Sequence, residues 1–194
     1  MADVKNVVAI AGPAGSGKDS IIRGILEKNS NTAFAVNATT RAPRPGEQHL
    51  VNYHFFSTEE FLKEVENGNI PEYYVRSETN TYYGTYKPNL DRQIAEGKIV
   101  FFQTQIVGAR YLKQFYNATT FFIMPPTTDA FEKRIRARSP MSDTEWNERA
   151  AFTKREIEEE APWYDYRIVN EDGKLDEAVK HVIEILIKEG YNLQ

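Results

Sequence analysis

The chain has 194 residues, of which 41% are hydrophobic and 27% charged, and its formal net charge is −4. That length suits one domain with a core of its own, and no apolar run reaches the roughly 20 residues a membrane-spanning helix needs. The absence of cysteine excludes disulfides, a thiol nucleophile and thiolate metal sites, while the acidic balance lacks the basic stripe expected of a nucleic-acid surface.

In chain order, "NVVAIAG" reads as an apolar strand and "KDSIIRGILEK" as a helix with apolar residues at Ile21, Ile22, Ile25 and Leu26. Between them, Gly12-Pro13-Ala14-Gly15-Ser16-Gly17-Lys18 satisfies the phosphate-loop spacing G-x-x-x-x-G-K. In such a loop the backbone N–H groups converge on phosphate oxygens, the helix N-terminus adds positive potential, and the lysine reaches the outer phosphates. A nucleoside triphosphate is the ligand this implies. The next position normally carries a Ser or Thr hydroxyl for Mg²⁺, but here it is Asp19, followed by Ser20.

From about 37 to 88 the composition shifts to Tyr, Asn, Thr and Glu, with extended pieces such as "YHFF" and "PEYYVR". Ser57-x-x-Glu60 is a capping box that opens the helix "TEEFLKEVEN", and Gly68 closes it. This stretch is predicted to be a small α+β lobe inserted into the core. Strand 99–104 and a helix around 107–115 follow. "TTFFIM" is then a strand stopped by Pro125 and Pro126, ahead of the helix "TDAFEKRIRAR". Residues 139–161 are highly charged with little apolar stripe and, on charge alone, read as a solvated helix. "YRIVN" is a last strand, and "LDEAVKHVIEILIKEG" a helix ending at Gly190. Alternating strands and helices predict an α/β fold with a parallel sheet covered by helices. The core would comprise 1–36, 89–138 and 162–194, with the lobe at 37–88 and a helical lid at 139–161.

The segment "TTRAPRPGEQHLVNYHF", residues 39–55, resembles the GMP-binding segment of guanylate kinases. The similarity continues through "YYGT", the proline-ended strand, the arginine-spaced "RIRAR" and "IVNEDGKLDEAV", and so covers nearly the whole chain. It implies a P-loop core, an inserted GMP-binding lobe and a mobile lid. It also implies a cytoplasmic enzyme that transfers the γ-phosphate of ATP to GMP with Mg²⁺, with neither a nucleic acid nor a membrane as partner. The oligomeric state is left open.

By that resemblance Arg41, Arg44, Tyr53 and Tyr83 grip the GMP phosphate. Two arginines three apart in a turn can each present a fork to it. Glu72 would read guanine, accepting from N1–H and the exocyclic amine, and Thr85 would donate to O6. Asn37 stands where the family usually has serine, and its amide can also donate to O6. On the donor side are the loop residues 12–20, Lys18 above all, and Asn170, which matches a family residue near adenine. Arg134, Arg138 and Arg149 match the lid arginines that clamp the phosphates. Phosphoryl transfer depends on in-line positioning and positive charge on the equatorial oxygens, which this set supplies. The remaining tyrosines of "EYYVR" and "NTYYG" are expected to pack the lobe.

Two features depart from the family pattern. Gln103 and Gln105 occupy positions where strand-end carboxylates normally help organise Mg²⁺, and the loop has gained Asp19. Either the metal-organising carboxylate has moved to Asp19, since Mg²⁺ is commonly held through one or two carboxylates and substrate phosphates, or Asp19 complements the helix dipole and Ser20 serves the metal. Lys18-Asp19-Ser20 also resembles the loop of ribose 1,5-bisphosphate phosphokinases, a second reading that gives Arg44 and Glu72 nothing to hold. A non-catalytic guanylate-kinase-like binding module is a third, opposed by the presence of Lys18 and all three lid arginines.

Overall fold

Five strands form one parallel sheet: β1 (Val7–Ala11), β2 (Thr32–Phe34), β7 (Ile99–Gln103), β8 (Thr119–Met124) and β9 (Tyr166–Val169), ordered β2-β7-β1-β8-β9. The computed structural model describes residues 5–77, 79–138 and 141–194, without the side chains of 128, 129 and 138. Every residue of β1 is buried, because a strand at the centre of a parallel sheet is covered on both faces. Val8 and Ile10 point to one side, where Ile21 and Ile25 of α1 (Lys18–Lys28) meet Val179, Val182 and Leu186 of α7 (Leu175–Lys188). Val7, Ala9 and Ala11 point to the other, onto Leu90 of α3 (Lys87–Ala95) and Leu112 of α4 (Ile106–Tyr116). The glycine-rich loop 12–18 thus leaves the carboxyl end of the central strand, where open α/β sheets place their ligands.

A second, four-stranded sheet, β4-β3-β6-β5, forms the lobe from β3 (Ala38–Thr39), β4 (His54–Phe55), β5 (Tyr73–Arg76) and β6 (Thr81–Gly84). It packs over α2 (Thr58–Glu66) through a small core of Ala38, Phe61 and Ile70. The capping box of α2 is complete: Glu60 N–H donates to Ser57 Oγ at 3.2 Å, and Ser57 N–H to Glu60 Oε2 at 2.8 Å. Gly68 follows with φ 75°.

From 141 to 161 the charged stretch is largely solvated, as its composition predicts, with a few buried anchors. Helix α6 (Asp143–Arg155) opens with a capping box between Ser142 and Glu145, then buries Trp146 against Phe131 and Ile135 of α5 (Thr128–Arg138). One aromatic ring replaces the apolar stripe that the sequence lacks. Beyond α6 the backbone widens into a π-helical turn, Glu156–Glu160, and a 3-10 turn, Ala161–Trp163. Helix α3 has no counterpart among the elements expected from the sequence. Its signals are Pro88 at the first turn, Leu90 and Ile94 four apart, and Gly97 just past its end. No helix among the described residues is long and apolar enough to cross a membrane.

Candidate active site

Gly17 enters α1 with φ 88°, a left-handed conformation that glycine adopts at little cost. A Cβ at this position would lie 2.1 Å from Asn170 Nδ2. That amide donates to the Ser16 carbonyl at 2.9 Å and is buried at the end of β9. Asn170, which the resemblance puts near adenine, also braces the phosphate loop, reaching it from the end of β9, two strands away from β1. Its own N–H is fixed by the Met124 carbonyl at 2.9 Å. Lys18 Nζ donates to the Pro13 carbonyl at 3.3 Å, so the lysine curls back over its own loop.

Asp19 sits exposed in the first turn of α1, with no side-chain cap on that helix. It lines a cleft of about 580 Å³ together with Gln103, Glu47 and Tyr53. Asp19 and Gln103 thus share one space, although 84 positions separate them in the sequence. Among the described residues no three His, Cys, Asp or Glu side chains gather into a metal cage. A divalent cation here would lean on substrate phosphates and water, as Mg²⁺ commonly does.

In the lobe, Arg41 presents its fork to Glu47, with N···O distances of 2.8 and 3.0 Å. Glu47 also accepts the Arg44 N–H at 2.8 Å. The Arg41 hydrogen bonds, then that of Arg44, pull the Glu47 carboxyl down to about 2. The Arg41 guanidinium lies 5.4 Å from the Tyr53 ring centre and 5.6 Å from that of Phe55. Its pKa is raised, by Glu47 first, against the opposing cost of burial. Arg44 itself is exposed. Glu47 closes the motif Thr-Thr-Arg-x-Pro-Arg-x-Gly-Glu that carries the family resemblance, but the sequence assigned it no role.

Glu72 and Thr85 face each other across the β5–β6 pair. Glu72 Oε1 accepts from the Thr85 N–H at 3.1 Å and from its hydroxyl at 2.6 Å. Burial raises the Glu72 pKa, and the Thr85 bonds partly offset that. Gly108 makes room for the carboxylate, since a Cβ there would stand 3.1 Å from Glu72 Oε1. The Thr85 hydroxyl, expected to meet O6, is here engaged in aiming Glu72.

A cleft of about 570 Å³ joins the two halves. Lys18 and Gly12 line it from the loop, Asn37, Tyr53, Glu72, Tyr83 and Thr85 from the lobe, Gln103 and Gln105 from the sheet edge, and Arg149 from α6. The Asn37 amide oxygen is buried with no hydrogen-bond partner among the described residues. Arg134 lies elsewhere, held by Asp172 Oδ1 at 2.7 and 2.9 Å and by the Asn170 carbonyl at 2.8 Å. Arg138 ends α5, and its side chain lies outside the described residues. Of the lid arginines with a described side chain, Arg149 alone faces the cleft.

Glu156 also lines this cleft, on the π-helical turn. Burial, reinforced by Glu160, pushes its carboxyl up to about 7, with Lys18 pulling the other way. A π-turn inside a helix is often found at a functional site. Nothing in the run "REIEEE" separates this glutamate from its solvated neighbours.

Comparison with known proteins shows the family of the chain and matches its fold. The guanylate kinase family model matches residues 4–189. A guanylate kinase of Synechocystis sp. is 33% identical over 184 residues, covering 94% of each chain. One from Idiomarina loihiensis is 39% identical over 171 residues, 86% of this chain and 80% of the relative. In three dimensions, the crystal structure of guanylate kinase from Anaplasma phagocytophilum matches with a TM-score of 0.72 at 25% identity, covering 99% of this chain and 89% of that one.

Proposed function

The chain belongs to the guanylate kinase family and is a phosphotransferase, and we propose that it moves the γ-phosphate of ATP onto a phosphate oxygen of GMP within the 570 Å³ cleft. The observation that carries this reading is that Lys18 and the Glu72–Thr85 pair line one continuous space. A triphosphate seated on the loop and a base seated on Glu72 then share it.

On the donor side, the loop N–H groups and Lys18 hold the β- and γ-phosphates, with Asn170 keeping the loop in shape. To engage phosphate, Lys18 exchanges the Pro13 carbonyl for a charged oxygen, a stronger partner. On the acceptor side, Arg41 and Arg44 take the GMP phosphate with Tyr53 and Tyr83, and Glu47 keeps the planar Arg41 fork aimed until then. Glu72 receives guanine N1–H and the exocyclic amine. Adenine offers no donor at N1 and leaves a desolvated carboxylate unpaired, a mismatch such sites reject strongly. Asn37 adds an amide at the same end of the cleft. Closure of α5 and α6 brings Arg149, with Arg134 and Arg138, toward the transferring group and excludes water. A GMP phosphate oxygen then bonds to the γ-phosphorus as the bond to the β-phosphate oxygen breaks, leaving ADP and GDP.

The residues at the start of α1 fit a divalent cation: Asp19 offers an exposed carboxylate and Ser20 a hydroxyl beside the loop. Bound there, Mg²⁺ would neutralise phosphate charge. The cleft shared by Asp19 and Gln103 favours the carboxylate having moved from strand to loop.

Binding of an adenosine–guanosine dinucleotide joined by five phosphates tests the shared cleft. It is expected to bind at least a hundredfold more tightly than ATP or GMP alone, because the second half binds at high effective concentration. Affinity no better than that of ATP would show that the two sites do not face each other. A site for ribose 1,5-bisphosphate would have no use for the half-buried Glu72 and its Thr85 partner.

A further inference from the structure

We propose that Tyr74 is a positioning residue of the acceptor site, holding the Tyr83 ring so that its hydroxyl meets the acceptor phosphate. This rests on the assignment of Tyr83 to phosphate binding above.

The placement follows from strand register. Tyr74 on β5 lies directly opposite Tyr83 on β6, in an antiparallel pair. Alternation puts Glu72 and Tyr74 on one face of β5, with Thr85 and Tyr83 on the same face of β6. Glu72, Tyr74, Tyr83 and Thr85 all line the active-site cleft. The other face holds Tyr73 and Tyr82, whose rings lie 5.8 and 5.5 Å from Phe61 in the lobe core. Tyr74 is thus not the lobe-packing residue that the sequence suggests, because it points away from that core.

On the cleft side the rings form a row. Tyr74 stacks on Tyr83 at 5.3 Å with 14° between planes, and Tyr83 meets Tyr53 edge-on at 6.3 Å. Tyr53 in turn carries the Arg41 guanidinium at 5.4 Å. Tyr83 therefore has an aromatic neighbour on each side. Tyr53 and Arg41 belong to the phosphate grip, whereas Tyr74 lies outside it, on the edge strand of the four-stranded sheet. Cross-strand aromatic pairs of this kind restrict each ring to a narrow range of orientations. Burial, with the neighbouring Tyr83 and Tyr53, pushes the Tyr74 phenol up to about 12, so it remains a neutral ring at any working pH.

The test is steady-state kinetics of Tyr74→Phe, Tyr74→Leu, Tyr83→Phe and the double variant Tyr74→Leu/Tyr83→Phe, with GMP and ATP varied separately. Stacking needs a ring and no hydroxyl, so Tyr74→Phe is expected to stay within about twofold of wild type. Tyr74→Leu should raise KM for GMP roughly three- to tenfold, the range of an aromatic pair, with KM for ATP unchanged. Adding Tyr83→Phe to Tyr74→Leu should then cost less than it does alone. Equal rises in both KM values for Tyr74→Leu, loss in Tyr74→Phe matching that in Tyr74→Leu, or full additivity would each overturn the inference. If Tyr83→Phe by itself leaves KM for GMP unchanged, the acceptor-site assignment fails. If it raises KM and Tyr74→Leu does not, only the role of Tyr74 fails.

Discussion

Glu72→Gln isolates base recognition from everything else in the cleft. Glu72 Oε1 accepts two hydrogen bonds from Thr85, and glutamine keeps one carbonyl oxygen to receive them. Volume is nearly unchanged and a half-buried charge is removed, so stability should move by less than about 1 kcal/mol. Recognition changes far more. Guanine presents two donors, each worth about 1.5–3 kcal/mol to a charged acceptor, and the glutamine NH₂ turns one pairing into donor against donor. A loss of about 2–4 kcal/mol corresponds to roughly a 30- to 800-fold fall in kcat/KM for GMP. IMP lacks the exocyclic amine, so it already forgoes one of these bonds. The GMP-to-IMP preference should therefore shrink about tenfold or more in the variant. A coupled assay of ADP release with both acceptors reads this directly, alongside a melting curve. An unchanged kcat/KM for GMP, or a fall equal for GMP and IMP, would show that Glu72 does not read the base.

Glu156 makes stability pH-dependent. Its carboxyl is raised from an ordinary 4.5 to about 7, so between those values the folded state holds more protons than the unfolded one and stability falls as pH rises. Glu156→Gln should match wild type in urea unfolding near pH 4.5 and exceed it by roughly 1–2 kcal/mol at pH 8, a figure discounted for partial exposure; equal curves at pH 8 would contradict the shift. Asp19→Ser should raise the Mg²⁺ concentration needed for half-maximal turnover severalfold, and an unchanged Mg²⁺ dependence would leave Asp19 only its place at the helix dipole. Gly17→Ala combines a left-handed alanine, about 1–2 kcal/mol, with displacement of the Asn170 amide that a Cβ would meet at 2.1 Å. Chemical denaturation should show a loss of about 2–3 kcal/mol, together with a higher KM for ATP; a loss under 1 kcal/mol would mean that the brace is unimportant.

The long elements were legible because they carry their own periodicity and punctuation. The helix over 18–28 and the strand over 119–124 match the ranges read from the sequence, and Ser57 and Glu60 form the capping box that their spacing implies. Strands β2, β3 and β6, of two to four residues, are too short to show alternation, and tertiary pairing alone defines them. Within the site, residue types at fixed spacing were readable and partners far apart in sequence were not. Asn170 reaches Ser16 across 154 positions, and the Thr85 hydroxyl turns to Glu72 because β5 and β6 pair in that register. Glu47 shows in the sequence as a motif residue without a role until the fold sets it against Arg41, and Glu156 looks like any surface glutamate until the fold sets it beside Lys18.

The most direct test is ADP formation from Mg·ATP with GMP, dGMP, AMP, IMP and ribose 1,5-bisphosphate supplied separately. Turnover with GMP at least a hundredfold above AMP and above the sugar phosphate is the expected result. It would show that a cleft edged by Gln103 and Gln105 still transfers phosphate to a guanine nucleotide. Turnover with ribose 1,5-bisphosphate and none with GMP would contradict the account, removing Glu72 from recognition and leaving Lys18-Asp19-Ser20 as the feature that defines the substrate.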